Sequence, residues 1–196
     1  MLSRRILLIQ GHPDPAGGRL CHALAEAYAE GAAAAGHVLR RTEVARLDFP
    51  VLRSQADWEH GAVPASLAPA QQDILWAQRL VLLFPLWMGD MPALLKAFIE
   101  QVARPGLAGA ASADGSLPPQ ALKGRSARIV VTMGMPALVY RWYFRAHSVK
   151  SLERNILGIL GVAPVHETLI GGVAQLGTAG SARWLRKLRA LGREGG

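Results

Sequence analysis

Short apolar runs of strand length recur along the chain, and helical segments lie between them. The run 5–10 is continuous and rich in leucine and isoleucine, and 79–84 has the same character. Strands that alternate with helices are joined by right-handed crossovers, which predicts a parallel sheet with helices on both faces. Five strands are predicted, over residues 5–10, 38–44, 79–84, 125–132 and 165–170.

The segments between these strands predict helices and two long loops. Helical spacing of apolar residues indicates helices from Leu20 to a stop at Gly36, over 66–78, from Pro92 onward, over 149–160 and over 181–191. The connection 45–64 has no period and contains prolines and a glycine, so we expect a long irregular loop there. Residues 105–123 are rich in glycine, alanine and proline and are also expected to form a loop.

The size and composition of the chain indicate one domain spanning residues 1–196. Hydrophobic residues make up 51% of the chain and charged residues 18%, a balance that supports a core and excludes intrinsic disorder. Cys21 is the only cysteine, so neither an internal disulfide nor a cysteine-based metal site is expected. The apolar run 6–9 is too short for a signal peptide, and no stretch approaches the roughly 20 apolar residues that span a bilayer. We therefore expect a cytoplasmic protein.

The net charge of +8 predicts either a basic surface or an anionic partner. At helical spacing, basic residues are typical of the solvated face of an amphipathic helix. Nucleic-acid binding is disfavoured, because Trp184 is the only aromatic residue among the clustered charges. The cluster consists of Arg183, Arg186, Lys187, Arg189 and Arg193.

Three turns follow predicted strands and carry the residues with chemical potential. In open parallel sheets, ligands bind beyond the carboxyl ends of the strands. The first turn, 11–18, joins a strand to a helix through Gly17 and Gly18, which expose backbone N–H groups to an anion such as a phosphate. His12 and Arg19 are candidate additional donors, although a structural role for His12 in the turn is an equal alternative.

The second turn, 85–91, carries a tryptophan and two methionines at a strand end. Exposed there, Trp87, Met88 and Met91 would be costly unless a flat apolar group covers them, which predicts a planar ring system bound at this loop. The alternative is that Trp87 packs beneath a neighbouring loop or across a dimer contact.

The third turn, 132–136, brings Thr132 and Gly134 to the same edge, followed by Tyr140 and His147. The last two are candidate catalytic residues, because they can donate hydrogen bonds to developing negative charge; a structural role is the alternative for each. The chain has no H-E-x-x-H, P-loop, G-x-S-x-G or G-x-G-x-x-G motif, and no metal site is predicted. The chemistry is therefore expected to reside in a bound cofactor.

Three segments resemble a known family: 10–15 (Gln-Gly-His-Pro-Asp-Pro), Asp57-Trp58, and 84–96 (Phe-Pro-Leu-Trp-Met-Gly-Asp-Met-Pro-Ala-Leu-Leu-Lys). From residue 6 to 171 the chain resembles the flavodoxin-like NAD(P)H dehydrogenase (quinone) family, which includes DT-diaphorase and flavoproteins that regulate bacterial potassium efflux. The resemblance implies a flavodoxin-like three-layer α/β sandwich with a five-stranded parallel sheet. It also implies bound FMN or FAD, NAD(P)H as co-substrate, and two-electron ping-pong transfer of hydride to a quinone, usually by homodimers whose paired subunits complete each site.

The resemblance also assigns site residues. The matching positions are His12, Gly17, Gly18 and Leu20 on the phosphate side, Pro85, Leu86, Trp87, Met88 and Gly89 against the isoalloxazine, Thr132, Gly134 and Tyr140 in the third segment, and His147 in the substrate pocket. Residues 17–19 depart from the family, which usually has a serine there; a hydroxyl contact to phosphate is lost, and Arg19 is the candidate replacement. Thr-Met-Gly-Met at 132–135 replaces a Thr-Thr-Gly-Gly pattern, and the methionines are expected to crowd the pocket floor.

Two other functions compete with the oxidoreductase. One is a regulatory flavoprotein subunit of a membrane transporter, with weak reductase activity and a basic face that docks on an acidic partner or an anionic membrane. The other is a one-electron flavodoxin shuttle, which is disfavoured because such carriers are acidic and this chain carries +8.

Overall fold

The computed structural model describes residues 3–104 and 120–195 and has a five-stranded parallel sheet at its centre. The strand order is β2-β1-β3-β4-β5. β2 is therefore added on one side of β1, and β3 to β5 are added on the other side. The predicted fold class is confirmed, and each strand boundary lies within one residue of its prediction. The strands are β1 (Arg5–Gln10), β2 (Val38–Glu43), β3 (Arg79–Pro85), β4 (Ser126–Thr132) and β5 (Val165–Ile170).

Helices cover both faces of the sheet. They are α1 (Leu20–Ala34), α2 (Gln55–His60), α3 (Ala68–Trp76), α4 (Ala93–Val102), α5 (Ala137–Trp142), α6 (His147–Ser151) and α7 (Gly177–Glu194). The predicted helix over 149–160 starts earlier, at α6, and continues as a π-helical segment, Leu152–Leu157. No helix within residues 3–104 and 120–195 is long and apolar enough to cross a membrane.

One prediction about a loop is corrected by the structure. The connection 45–64 was expected to be irregular, but it contains α2, whose first turn is capped by Ser54 Oγ accepting the Asp57 N–H at 3.1 Å. No secondary structure was predicted for residues 137–142, which form helix α5. Of the predicted loop over 105–123, residues 105–119 lie outside the described residues, and 121–124 form a turn.

The core consists of two layers because successive side chains of a strand point to opposite faces. Leu7, Leu82 and Ile129 pack with α3 and α4, whereas Ile6 and Val81 pack with α1 and α7. Every residue of β3 is buried, as its continuous apolar run predicts for a central strand. β2 is an edge strand and is mostly exposed, in agreement with its alternating sequence.

Helices α1 and α7 approach each other unusually closely through two glycines. A Cβ atom at Gly31 would lie 2.0 Å from the Arg189 carbonyl oxygen, and one at Gly192 would lie 2.1 Å from the Tyr28 carbonyl oxygen. Both distances are far below van der Waals contact, so only glycine fits at either position. The basic residues of α7 are mostly exposed, as predicted for a solvated face, and Arg189 forms an ion pair with Glu30.

Candidate functional site

The parallel sheet places the carboxyl ends of β1, β3 and β4 side by side, and hydrogen bonds hold the loops that follow them together. We call these the first loop (11–19), the second loop (86–92) and the third loop (133–136). The Gly11 N–H donates to the Leu83 carbonyl at 2.7 Å, and the Leu86 N–H donates to the Thr132 carbonyl at 2.8 Å. The rings of His12 and Trp87 meet edge to face, with centroids 6.2 Å apart.

The first loop is an open cradle with free backbone donors. Gly17 and Gly18 have φ of +77° and +72°, and a Cβ atom at either position would meet no atom within 4 Å. No hydrogen bond within the described part of the chain uses the backbone N–H of Gly17, Gly18 or Leu20. Helix α1 starts at Leu20, so its positive end lies behind these donors. The loop therefore offers several N–H groups to an anion.

A carboxylate lies inside this cradle. Asp14 Oδ1 accepts the Ala16 N–H at 2.9 Å, and Asp14 Oδ2 lies 3.4 Å from Arg19 Nε. The Ala16 N–H, and to a smaller extent Arg19, hold the pKa of Asp14 below its usual value. Arg19 is thus shared between an internal carboxylate and any incoming anion.

His12 is buried and oriented by backbone groups. Its Nδ1 accepts the Asp14 N–H at 3.1 Å, which leaves the proton of the neutral ring on Nε2. The backbone N–H of His12 donates to Gln10 Oε1 at 3.0 Å. Burial, and then the neighbouring His22, whose ring centroid is 4.6 Å away, lower the pKa of His12. His12 is therefore a neutral N–H donor near pH 7.

The second loop is a rigid two-residue hairpin. Trp87 and Asp90 exchange backbone hydrogen bonds of 2.8 and 2.9 Å, and the two residues between them, Met88 and Gly89, have φ of 48° and 85°. Met88 is fully exposed and Trp87 is 50% exposed. The prediction that two methionines are exposed here is wrong for Met91, which is buried in the core. An apolar wall formed by Trp87 and Met88 remains.

The third loop leaves space rather than filling it. A Cβ atom at Gly134 would meet nothing within 4 Å. Met133 was expected to crowd the pocket floor, but its side chain is buried in the core, and its N–H donates to the Ile170 carbonyl at 2.9 Å. Met135 is partly buried and packs against the same core.

The two predicted catalytic residues lie in different environments. Tyr140 is only 2% exposed, and its hydroxyl is 2.6 Å from Ser148 Oγ, which fastens α5 to α6. His147 is exposed at the start of α6, after Arg145 and Ala146, which both adopt left-handed backbone conformations. The structure therefore gives the Tyr140 hydroxyl a partner within the protein, and both catalytic roles stay predictions.

Two residues beside the first loop are not singled out by the sequence pattern. Gln10 and His22 line a cavity of about 200 Å³ together with Gly17, Glu26 and Arg41. His22 Nε2 is 3.2 Å from the Asp14 carbonyl oxygen, and its buried Nδ1 has no partner among the described residues. Both residues reach the loop from regular elements, β1 and α1. Gln10 begins the segment 10–15 that resembles the family but was given no role there, and the only sequence signal for His22 is its proximity to Gly18.

The neighbouring Cys21 is not a nucleophile at neutral pH. Burial raises the pKa of its thiol to about 12. Its sulfur lies 3.4 Å from Gln10 Oε1. Cys21 therefore packs behind the first loop as a small apolar residue.

The sheet order and the three carboxyl-edge loops define an α/β protein whose candidate ligand site lies where the strand order reverses. Residues 4–191 match the model of the flavodoxin-like fold family, and the chain belongs to that family. No curated protein matches the sequence.

Solved structures share the fold over almost the whole chain. The Smu.1420 protein of Streptococcus mutans is 22% identical, with 96% of this chain and 98% of that chain covered and a TM-score of 0.81. An NAD(P)H:quinone oxidoreductase from Methanothermobacter marburgensis is 23% identical, with coverages of 98% and 96% and a TM-score of 0.79. An FMN-dependent NADH-azoreductase from Bacillus anthracis, solved in complex with FMN, is 17% identical, with coverages of 97% and 98% and a TM-score of 0.74.

Proposed function

We propose that the chain is a flavin-dependent NAD(P)H:quinone oxidoreductase. The observation that carries the proposal is the contact between His12 and Trp87, which joins an open cradle of N–H donors to an exposed apolar wall. A flavin has the matching halves, an anionic phosphate and a planar ring. The similarity in fold to a quinone oxidoreductase and to an FMN-dependent azoreductase supports the same class of reaction.

The residues present fit FMN or FAD. Gly17, Gly18 and Leu20 would hold the phosphate through backbone N–H groups, with His12 Nε2 and Arg19 as further donors. The segment Pro85, Leu86, Trp87, Met88 and Gly89 would lie along the ring, and Thr132 and Gly134 would complete the site. A bound flavin would supply the two-electron hydride chemistry.

The chain's own residues would bind, orient and exclude water. Trp87 and Met88 would cover the ring and keep water from it, and the open space at Gly134 would let a flat substrate approach. NAD(P)H and the quinone would occupy this space in turn, which is the ping-pong order. Exposed His147 is the candidate hydrogen-bond donor to the substrate.

We also propose that two copies of the chain form a homodimer. Helix α5 and the residues after it expose Leu138, Val139, Trp142, Tyr143 and Phe144. A monomer rarely exposes so many large apolar side chains in one segment. Nothing in the described part of the chain favours the regulatory subunit over the oxidoreductase.

Flavin binding and quinone reduction test the proposal directly. The purified protein is expected to show the absorption bands of oxidised flavin, or to quench the fluorescence of added FMN or FAD on titration. The loaded protein is then expected to oxidise one equivalent of NADH or NADPH per flavin on its own, and to turn over repeatedly when a quinone is added. A protein that binds neither flavin, or a loaded protein without quinone-dependent turnover, would contradict the proposal.

A further inference from the structure

A group of basic side chains lies at the amino ends of the strands, at the opposite edge of the sheet from the candidate flavin site. In the sheet register, Arg79 of β3 pairs with Ile6, Val81 pairs with Arg128 of β4, and Arg128 pairs with His166 of β5. Paired residues share a face, as do residues two apart on a strand. Arg79, Arg128 and His166 therefore lie on the face that α1 and α7 cover. We call Arg79 and Arg128 the amino-edge pair.

The amino-edge pair has buried N–H groups without acceptors. Arg79 is 4% exposed; its Nη1 donates to Ser126 Oγ at 3.0 Å, but its Nε and Nη2 are buried with no acceptor among the described residues. Arg128 Nη1 donates to Thr168 Oγ1 at 3.0 Å, and its buried Nε also lacks an acceptor there.

The free atoms of Arg79 form the edge of the guanidinium that grips oxoanions. Nε and Nη2 point in the same direction and present two parallel N–H bonds, which match two oxygens of a carboxylate or a phosphate. Leaving such an edge buried and unpaired is destabilising, since each unsatisfied donor costs about 1–3 kcal/mol, and more for a charged group. The geometry thus calls for a bidentate acceptor.

The charges around the amino-edge pair also favour binding of an anion. The neighbours that interact with Arg79 and Arg128 include the guanidinium of Arg4 and the imidazole of His166. The Tyr28 hydroxyl forms a side-chain hydrogen bond with Arg79, but this oxygen is neutral and does not balance the charge of the guanidinium. The carboxylate that acts on Arg128 is that of Glu194, at the end of α7, and it is exposed. Burial lowers the pKa of Arg79 and of Arg128, as expected for cations that lack full compensation.

From this geometry we infer that the amino-edge pair binds an oxoanion, a phosphate, sulfate or carboxylate, through the Nε and Nη2 edge of Arg79. The anion can come from solution or from a carboxylate of the chain itself. The end of α7 is close, because the Gly195 carbonyl accepts a hydrogen bond from Arg4 Nη1 at 3.2 Å. The site is independent of the first loop, which lies at the other end of β1.

The inference is tested by measuring the Tm of the full chain. Chloride is exchanged for inorganic phosphate or sulfate at constant ionic strength. At ten times its dissociation constant, a bound anion is expected to raise Tm by about 3–6 °C. Arg79→Lys keeps the charge but removes the bidentate edge, and Arg128→Lys is the second variant if the first fails to fold. Arg53→Gln, at an exposed arginine, is the matched control, and Gly18→Ala removes any contribution of the first loop.

The outcomes separate the two sources of the anion. A phosphate shift that Arg53→Gln and Gly18→Ala retain and a lysine variant loses supports a dissolved anion. If the wild-type chain gives no shift, a chain carboxylate is supported when Glu194→Gln lowers Tm and creates a phosphate response that Arg79→Lys removes. A shift that is unchanged in both lysine variants, or absent from every chain, would overturn the inference.

Discussion

His12 shows how one residue of the candidate site is prepared by the backbone around it. Its Nδ1 accepts a hydrogen bond from the Asp14 N–H, so the fold itself fixes the direction of the Nε2–H bond before any ligand binds. The same residue is held close to His22, which disfavours a positive charge on the His12 ring. An anion bound at the first loop would favour the protonated form of His12, because opposite charges attract. Anion binding and proton uptake would therefore be coupled.

The lowered pKa of His12 predicts a loss of stability in mild acid for the protein without bound anion. The unfolded chain binds the proton near the ordinary pKa of about 6.5, and the folded chain binds it at lower pH. Stability is therefore full above that value and falls as the pH decreases through the folded pKa. Urea unfolding between pH 7.5 and 5 is expected to show the decline, with a contribution from His166, whose pKa is also lowered. His12→Asn should flatten the curve, and an equally steep decline in this variant would contradict the assignment to His12.

Gly18 tests the cradle directly. Gly18→Ala adds a methyl group where the phosphate would lie and strains a residue at φ +72°, so we expect FMN affinity to fall at least tenfold. Gly36→Ala is the matched control, because φ is +76° there and its Cβ would also meet no atom within 4 Å. Both variants should lose about 1–2 kcal/mol of stability. Equal flavin affinity in the two variants, measured by fluorescence titration, would contradict the phosphate assignment.

Tyr140→Phe separates a structural from a catalytic hydroxyl. The bond to Ser148 favours the structural role, so the variant is expected to lose about 1 kcal/mol of unfolding free energy with kcat within twofold of wild type. Ser148→Ala is the control, since it removes the same bond from the other side. A tenfold or greater fall in kcat at unchanged stability would instead support proton donation by Tyr140.

At the scale of elements, the contact between α1 and α7 depends on two positions without side chains. Gly192→Ala would place a methyl carbon 2.1 Å from the Tyr28 carbonyl oxygen, so the helices must separate. We expect a loss of about 1–3 kcal/mol in unfolding free energy. Gly180→Ala, in the same helix, would only touch the Leu176 side chain at 3.2 Å and should gain or lose less than about 1 kcal/mol through helix propensity. Denaturant unfolding of the pair checks the prediction, which fails if the two variants are equally stable.

The strands could be predicted from the sequence to within a residue, whereas α2 could not. A buried parallel strand is marked by its own continuous apolar run, as in β3. Helix α2 has six residues and none of them is buried, so it leaves no apolar period, and only the capping serine at its start marks it. The π-helical turn at Leu152–Leu157 has no local signature either, because it depends on how that segment packs.

The location of the candidate site could be predicted from the sequence, but the arrangement of its side chains could be predicted only in part. Strand ends placed the three loops together, and glycine marked the open first loop. The burial of Met91 and Met133 and the bond from Tyr140 to Ser148 are set by tertiary packing, which no periodicity within a turn reports. His22 was missed for the same reason: its relation to His12 exists only once α1 has packed on β1.

For the whole molecule, the exposed aromatic residues at the end of α5 and just after it predict self-association. The wild-type protein is expected at twice the chain mass of 21.0 kDa in sedimentation or light-scattering measurements. Replacing both Trp142 and Tyr143, which are 76% and 79% exposed, by serine should shift it toward the single-chain mass. Val51→Ser, at an exposed valine elsewhere, should not. A wild-type protein that sediments as a single chain would contradict the homodimer.

The glycine contact between α1 and α7 also has a consequence for biosynthesis. Helix α7 follows all five strands, yet it packs on α1, more than 140 positions earlier in the chain. A nascent chain folds from its N-terminus as it leaves the ribosome. Until α7 has emerged, α1 is the one helix of the described residues that packs with Ile6, Leu8 and Val81 on that face, and this half of the sheet stays open to association with other apolar surfaces. The fit of Gly31 against Arg189 and of Gly192 against Tyr28 then closes the second core layer, so that this layer is completed only when α7 has been made.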